Sequence, residues 1–475
     1  MKASRPLRSV GLVLALALTF SCVRYQALPL VPAVVMDDFE ARRLDSTELG
    51  AFLVANQEAE RWPPSVWDIK SLTLVALYFH PDMDIARARW GVASAGRITA
   101  GERPNPILTP TIGYNATSPR SEVTPWIPEA ALELTIETAG KRGIRIAEAR
   151  HLAAAARWQI FAAAWDVRSR LRAALLEVFA SGERATLLRE QGQLQQESVR
   201  LLELQREAGE VSSYDLTQAR IALDASRLAA IEAARAEEDA RARLAAALGL
   251  PRRALEGATF SFDGFRRPGP ALPAAEIRRH AVLNRSDLLA ALAEYEVSQS
   301  ALKLEIAKQY PDISFGPDYQ LDQTDSKWTI GLGLVLPILS RNRGPIAEAL
   351  AGREESAARF VALQSAVVGE LDAAIEDCRA ALLKSRAADD LASHVAAQER
   401  AARVRRDLGE ISGSEYLGVR IELNAGMQDR LEALVQAQEA VGRLEDAAQS
   451  PLDAKDWITT MTRTPAVPAK EPMND

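Results

Sequence analysis

The side chains best able to do chemistry are too dispersed to do it together. Four histidines, His80, His151, His280 and His394, fall in separate stretches without the short spacings that gather ligands around a metal ion. Gly331-Leu332-Gly333 lies inside an alternating run and opens no helix, so it is not a phosphate-cradling loop. No nucleophile–base arrangement stands out, which argues against an enzyme and gives no reason to expect a cofactor. Of the two cysteines, Cys378 sits in a helical stretch and reads as a small buried hydrophobe.

Cys22 has a different setting. Lys2, Arg5 and Arg8 precede an apolar run from Val10 to Phe20, and the small residue Ser21 stands just before the cysteine. The run is too short to span a bilayer and has the layout of a secretory signal, residues 1–21. A small residue before Cys22 predicts lipid attachment at that cysteine, with ordinary cleavage nearby as the alternative. Thr19 and Phe20 depart from the residues usual in such signals. Val23 follows, and no Asp is there to favour inner-membrane retention, so outer-membrane lipid is the expected partner.

The elements that carry these residues repeat. Arg206, Gly209, Glu210, Ser212, Arg220, Ile221, Leu223, Arg243, Leu244, Ala247 and Pro251 recur 200 positions later as Arg406, Gly409, Glu410, Ser412, Arg420, Ile421, Leu423, Arg443, Leu444, Ala447 and Pro451. Ile146-Ala147-Glu148-Ala149 recurs as Ile346-Ala347-Glu348-Ala349. Constant spacing over this length means two copies of one structural unit. The net charge of −7, with no basic stripe, argues against a nucleic-acid partner. Abundant Ala, Leu, Glu, Arg and Gln with few aromatics favour long helices, and no apolar run after the signal approaches the ~20 residues of a membrane helix.

Residues 22–64 read as an extended lead segment with one short helix near 36–55. The first repeat, 65–265, has helices broken at His80-Pro81-Asp82, strands at about 106–117 and 126–138, and a long helical hairpin over 143–249. The second, 273–452, has helices broken at Asn284-Arg285-Ser286, strands at about 311–322 and 327–337 around a Thr324-Asp325-Ser326 turn, and a hairpin over 345–449. Residues 453–475 form a loose, flexible C-terminal tail. Gly209-Glu210-Val211-Ser212 and Gly409-Glu410-Ile411-Ser412 make the hairpin turns, glycine taking the left-handed position and serine capping the returning helix.

Each strand run spans about ten residues and alternates apolar with polar, for example Ile330, Leu332, Leu334 and Leu336 against Thr329, Gly331 and Gly333. That suits tilted transmembrane strands, with Trp126 and Trp328 at an aromatic girdle and Glu133 and Glu137 toward a lumen or solvent. The competing reading is two soluble hairpins on a lipid-anchored, non-channel periplasmic scaffold. Four strands cannot close a barrel, and an open edge in lipid leaves backbone groups unsatisfied, so the membrane reading requires several chains to pool their strands.

The paired turns, the Pro311-Asp312-Ile313 strand entry and the strand–glycine–helix step at Arg343-Gly344-Pro345 together resemble the TolC-type outer-membrane efflux protein family over about Trp62 to Pro451. The resemblance implies a mainly α fold with a small membrane β part. Helical hairpins would form a periplasmic tunnel, and four strands per chain would enter a shared 12-stranded barrel in a homotrimer. It implies an exit duct whose hairpin tips, Gly209 to Ser212 and Gly409 to Ser412, dock on a periplasmic adaptor. The adaptor would join an inner-membrane pump of the resistance-nodulation-division type, with type I secretion as the alternative. By motif position Asp215 and Glu415 match acidic residues of the tunnel entrance, where like charges around a trimer axis favour cations. Each is equally an acidic residue placed in a first helical turn by the helix dipole. Arg406, Ile411 and Gly418 depart from the family's gate positions, so the resemblance implies a gate that is either looser or differently wired.

Overall fold

The computed structural model describes residues 25–56, 62–116, 124–267, 274–322 and 325–452, so Cys22, the signal and the tail from 453 lie outside the described residues. The chain divides into two units. In the first, which ends at Arg42, α1 (Pro32–Glu40) opens with proline at a position whose N–H has no helical partner, and the Arg42 guanidinium stands 5.3 Å from the Phe39 ring.

The second unit begins with α2 (Thr47–Ala55), capped by Ser46, so the single helix expected near 36–55 is two separate helices. Next come α3 (Ile69–Phe79), α4 (Pro81–Gly101), β1 (Ile107–Tyr114), β2 (Trp126–Ile136), α5 (Lys141–Glu207) and α6 (Ser213–Leu248). A short 3-10 turn and the one-turn α7 (Asp263–Arg266) lead to α8 (Ala274–Asn284) and α9 (Ser286–Ala307). The chain closes with β3 (Ile313–Asp322), β4 (Asp325–Leu334), α10 (Arg343–Asp407) and α11 (Gly413–Ala448). The order helix, helix, strand, strand, long helix, long helix thus occurs twice.

At 67 and 65 residues, α5 and α10 each reach about 100 Å at 1.5 Å per residue. Helix α6 returns along α5, α11 returns along α10, and α4 and α9 both lie on α5. Two apolar cores sit partway along the long helices. One joins Leu72 and Val75 to Leu171, Leu175, Leu244 and Leu248, and the other gathers Leu288, Leu371, Ala437, Ala440 and Leu444 around Cys378. Fully buried Ala437 and Ala440 let helix backbones approach closely.

The His80 break is a double cap. Its extended backbone ends α3, and its Nδ1 accepts from the Asp82 N–H at 3.2 Å to start α4. Gly249, ending α6, has φ +70° and backs onto the Phe79–His80 backbone, where a Cβ would meet the Phe79 carbonyl oxygen at 2.9 Å. Its second-repeat counterpart, Gln449, also takes a left-handed φ (46°), and its Oε1 accepts from the Ser286 N–H at 2.9 Å and from the Ser286 hydroxyl at 2.7 Å.

The four strands form one antiparallel sheet in the order β1-β2-β3-β4, leaving β1 and β4 as edges. Register sorts the side chains by polarity. Leu108 faces Leu132, Ile112 faces Pro128, Leu134 faces Phe315, Phe315 faces Leu332 and Pro317 faces Ile330, all on one side. On the other side Thr111 faces Glu129, Thr135 faces Ser314, Asp318 faces Thr329 and Gln320 faces Lys327. The apolar side is largely exposed within this chain, with Leu108, Ile112, Trp328, Ile330 and Leu332 each more than half accessible. Strand β4 spans 325–334 rather than the expected 327–337, because Asp325 still pairs with Asp322 across the turn.

Two steps join sheet to helices. Ala139 and Gly140 before α5, and Arg341 and Asn342 before α10, each take two successive left-handed conformations. The second step therefore turns at Arg341-Asn342, and Gly344 already lies inside α10. Buried Lys141 ties the halves together, donating to the Tyr310 carbonyl at 2.6 Å and to Asp312 at 2.7 Å, while the Thr138 N–H donates to Asp312 at 2.9 Å.

Candidate functional site

Both hairpin tips are assembled from their own backbone groups. At the first, Gly209 takes φ +77°, its N–H reaches the Arg206 carbonyl at 3.0 Å, and the Glu210 N–H reaches the Gln205 carbonyl at 2.8 Å. These bonds satisfy helix-end carbonyls that would otherwise lack partners. Gly409 and Glu410 repeat the arrangement against Arg406 and Arg405, with φ +73° at Gly409. Val211 and Ile411 are half-buried under the turn, and Ser212 and Ser412 cap the returning helices.

Asp215 and Glu415 close capping boxes with those serines. Asp215 accepts from the Ser212 hydroxyl at 2.7 Å and N–H at 3.2 Å, and Glu415 accepts from the Ser412 N–H at 2.7 Å and hydroxyl at 3.0 Å. The Ser412 N–H, then its hydroxyl, hold the Glu415 carboxyl below its ordinary pKa. Both carboxylates remain exposed at the outermost turn, where they cap a helix and also present charge to solvent.

The residues that depart from the family's gate pattern have other partners. The Arg406 guanidinium lies 4.3 Å from the Tyr416 ring and pairs with Asp407 at 2.9 Å. Gly418 has open space where a side chain would project. A centre that sequence reasoning missed lies just above. Buried Glu399 accepts from the Tyr416 hydroxyl and from Arg403, both at 2.7 Å, and the hydroxyl, followed by Arg403, lowers the Glu399 pKa. A mid-helix Glu normally reads as solvated; comparing positions 199 and 399 of the two repeats was the available signal.

Polar ties join α11 to α5. Asn424 Nδ2 donates to the Leu187 carbonyl at 3.1 Å, Gln428 donates to Gln191 at 2.8 Å, and Arg184 pairs with Glu432 at 2.8 Å. Further along, a cavity of about 730 Å³ opens between the hairpins, lined by Arg189, Glu190, Glu197, Arg406, Tyr416 and Arg420.

The remaining candidates do not converge. His80 and His280 are held below the ordinary imidazole pKa by burial, and Cys378 is raised by burial inside the second core. Among the described residues no group of three His, Cys, Asp or Glu could hold a metal ion, and no helix is long and apolar enough to cross a membrane. Glu133 is exposed on the polar side of the sheet. Glu137, expected toward a lumen or solvent, is largely covered and pairs with the part-exposed Arg145 at 3.0 Å.

The sequence model for outer membrane efflux proteins matches residues 75–250 and 277–448. The cobalt-zinc-cadmium resistance protein CzcC of Cupriavidus metallidurans (strain CH34) is 25% identical over 261 residues, 54% of this chain and 60% of that protein. The match thus spans less than two thirds of this curated relative. Among solved structures, the Campylobacter jejuni CmeC outer membrane channel matches with TM-score 0.67 at 16% identity, covering 83% of this chain and 89% of that one. The Vibrio cholerae outer membrane protein VceC matches with TM-score 0.65 at 18% identity, covering 80% and 96%. These structural likenesses establish a shared fold of long helices and a small antiparallel sheet.

Proposed function

Since this chain belongs to the outer membrane efflux protein family, we propose that it is the exit duct of a tripartite efflux system, conducting substrates passively from a periplasmic adaptor and inner-membrane pump to the cell exterior. The observation that carries this reading is the sheet, with one continuous apolar side exposed and both edge strands unpaired. In lipid, unpaired backbone groups are costly and four strands cannot close on themselves, so copies must share their edges. Three copies supply twelve strands. Tyr114 packs on Trp126 at 4.9 Å and Tyr319 on Trp328 at 4.8 Å, all four at one end of the apolar side, which supports an aromatic girdle at one membrane interface.

On this reading α5, α6, α10 and α11 form the tunnel wall and the two tips meet the adaptor. Asp215 and Glu415 ring the entrance, and lipid on Cys22 holds the protein at the outer membrane. A pump of the resistance-nodulation-division class is the proposed partner. The likeness to a protein named for cobalt, zinc and cadmium resistance makes divalent cations the first cargo to test.

The experiment is single-channel recording of detergent-purified protein in a planar bilayer, with its mass measured in the same detergent. A conducting trimer is the expected result. A monomer that stays soluble without detergent and passes no current would overturn the duct and favour a periplasmic scaffold.

A further inference from the structure

The two steps from sheet to long helix carry their cations to different ends. A shift of 200 positions sets Lys141 against Arg341. At the first step the cations are engaged within the chain: Lys141 on Asp312 and the Tyr310 carbonyl, Arg142 on the Gly101 carbonyl at 2.6 Å, and Arg145 on Glu137. At the second step the stretch from Val335 to Arg343 contains no acidic residue. Asn342 fixes the turn by donating to the Glu305 carbonyl at 2.7 Å and to its carboxylate at 2.9 Å, and that carboxylate also takes Lys308. Arg341 and Arg343, on either side of Asn342, are exposed. Among the described residues neither guanidinium makes an ion pair or a hydrogen bond.

The residues leading into that turn are apolar and equally uncovered within the chain. Leu336 continues the alternation of Ile330, Leu332 and Leu334 and is 64% exposed, Ile338 is 75% exposed and Leu339 97%. From Trp328 to Ile338 an extended chain tilted by roughly 40° descends at most about 25 Å, the height of the apolar band of a membrane barrel. The Tyr–Trp pairs mark one edge of that band, and Arg341 and Arg343 fall at the other, at the end of the sheet that meets the helices.

A guanidinium with no protein acceptor at a lipid boundary suits one ligand above others, a phosphate, which it grips with two N–H bonds. The phosphate of a zwitterionic lipid is neutralised by that lipid's own ammonium, whereas the phosphate of phosphatidylglycerol is not. We propose that Val335 to Arg343 is a binding site for anionic phospholipid of the leaflet nearer the helices. Leu336, Ile338 and Leu339 lie among the acyl chains, and Arg341 and Arg343 hold the headgroup phosphate. This rests on the exit-duct reading, which requires the sheet to span a membrane. Aromatic rings hold one interface and a bound class of lipid holds the other, so the stability of the assembled barrel depends on the composition of that leaflet.

The test is the melting temperature of the full-length protein in neutral detergent with added phosphatidylglycerol or phosphatidylcholine, together with the lipids retained in native mass spectrometry. Wild type is expected to retain phosphatidylglycerol in preference and to melt higher with it, and the preference should shrink in high salt. One exposed cation near an anionic surface is worth about fivefold in binding, so the pair is worth about thirtyfold. Arg341→Asn with Arg343→Gln removes both charges, and Asn tolerates the left-handed backbone of position 341. That double variant should bind phosphatidylglycerol about thirtyfold more weakly and melt like wild type in phosphatidylcholine. Equal retention of the two lipids by wild type, a double variant that keeps the preference, or a rise reproduced by inorganic phosphate alone would overturn the lipid site and leave the duct intact. A double variant whose assembly falls apart in either lipid would give the arginines to a neighbouring copy and overturn the site as well. A wild-type monomer that needs no detergent would overturn the duct itself.

Discussion

Leu332→Lys puts the assignment of the sheet's apolar side to a direct test. Leu332 is 76% exposed on β4, and its neighbour across the strand pair is Phe315, so an ammonium placed there finds no counter-charge on its own side. It lies four residues along the strand from Trp328. At roughly 3.3 Å per residue and a tilt of roughly 40°, that is about 10 Å below the girdle, close to the centre of an apolar band about 25 Å tall. A lysine near the midplane of the proposed barrel costs about 2–4 kcal/mol, hence about 6–12 kcal/mol over the three copies of the proposed trimer. Gly331→Lys is the matched control, at the same depth but on the polar side, where a new Cβ meets only the Gly316 carbonyl at 3.9 Å. The assay is the fraction of membrane-extracted protein that runs as a heat-modifiable trimer. Leu332→Lys should nearly abolish that species and Gly331→Lys should preserve it. If Leu332→Lys assembled like wild type, or both variants failed alike, the lipid-facing assignment would be wrong.

Gly249→Ala and Gly209→Ala separate backbone strain from crowding. Each incurs about 1–2 kcal/mol for a left-handed alanine, but only Gly249 also drives a Cβ against the Phe79 carbonyl, so its variant should melt at the lower temperature in detergent. Asp312→Ala leaves buried Lys141 without its carboxylate; because Asp312 is itself 37% exposed and Lys141 keeps the Tyr310 carbonyl, the loss should be about 1–3 kcal/mol, with Lys141→Met partly restoring stability in the double variant. The Glu399 pKa is lowered in the fold, so its stabilisation is present above the ordinary carboxylate range and lost as pH falls through the lowered value; the stability gap between wild type and Glu399→Gln should close over that acid range. Replacing Asp215 and Glu415 together by Ala should reduce cation selectivity of the open channel and open two capping boxes while leaving the serine caps, and a reversal potential equal to wild type would dismiss them as entrance charges.

The long helices, their turns and the four strands were legible because each is written in local pattern. Proline-free stretches, glycine followed by serine, and period-two alternation act over a few residues. What was not legible depends on contacts far apart in sequence. The junction of the Lys141 side chain with the Tyr310 carbonyl and the Asp312 carboxylate joins groups about 170 residues apart, and no local pattern points to it. Glu137 looked like one more outward residue of a strand until Arg145 of the next helix was placed beside it. The capping roles of Asp215 and Glu415 were visible as first-turn acids, whereas burial of Glu399 was not, because its partner Tyr416 arrives from the returning helix. The step into α10, read from the sequence at Arg343-Gly344-Pro345, lies two residues earlier, where Arg341 and Asn342 take the left-handed conformations.

The central seam of the sheet also sets a timetable. β1 meets β2, and β3 meets β4, over short connections, but Ile136 pairs with Ile313 across 177 residues (313 − 136). Helices and tight hairpins form in microseconds, whereas pairings so distant in sequence form slowly. The two β-hairpins are therefore ready long before the helices between them bring β2 and β3 together. During that interval each carries a row of unsatisfied backbone groups beside an oily surface, the kind of species that aggregates in water. Anything that delays the meeting of Thr138 with Asp312 should lengthen this interval and raise aggregation during refolding.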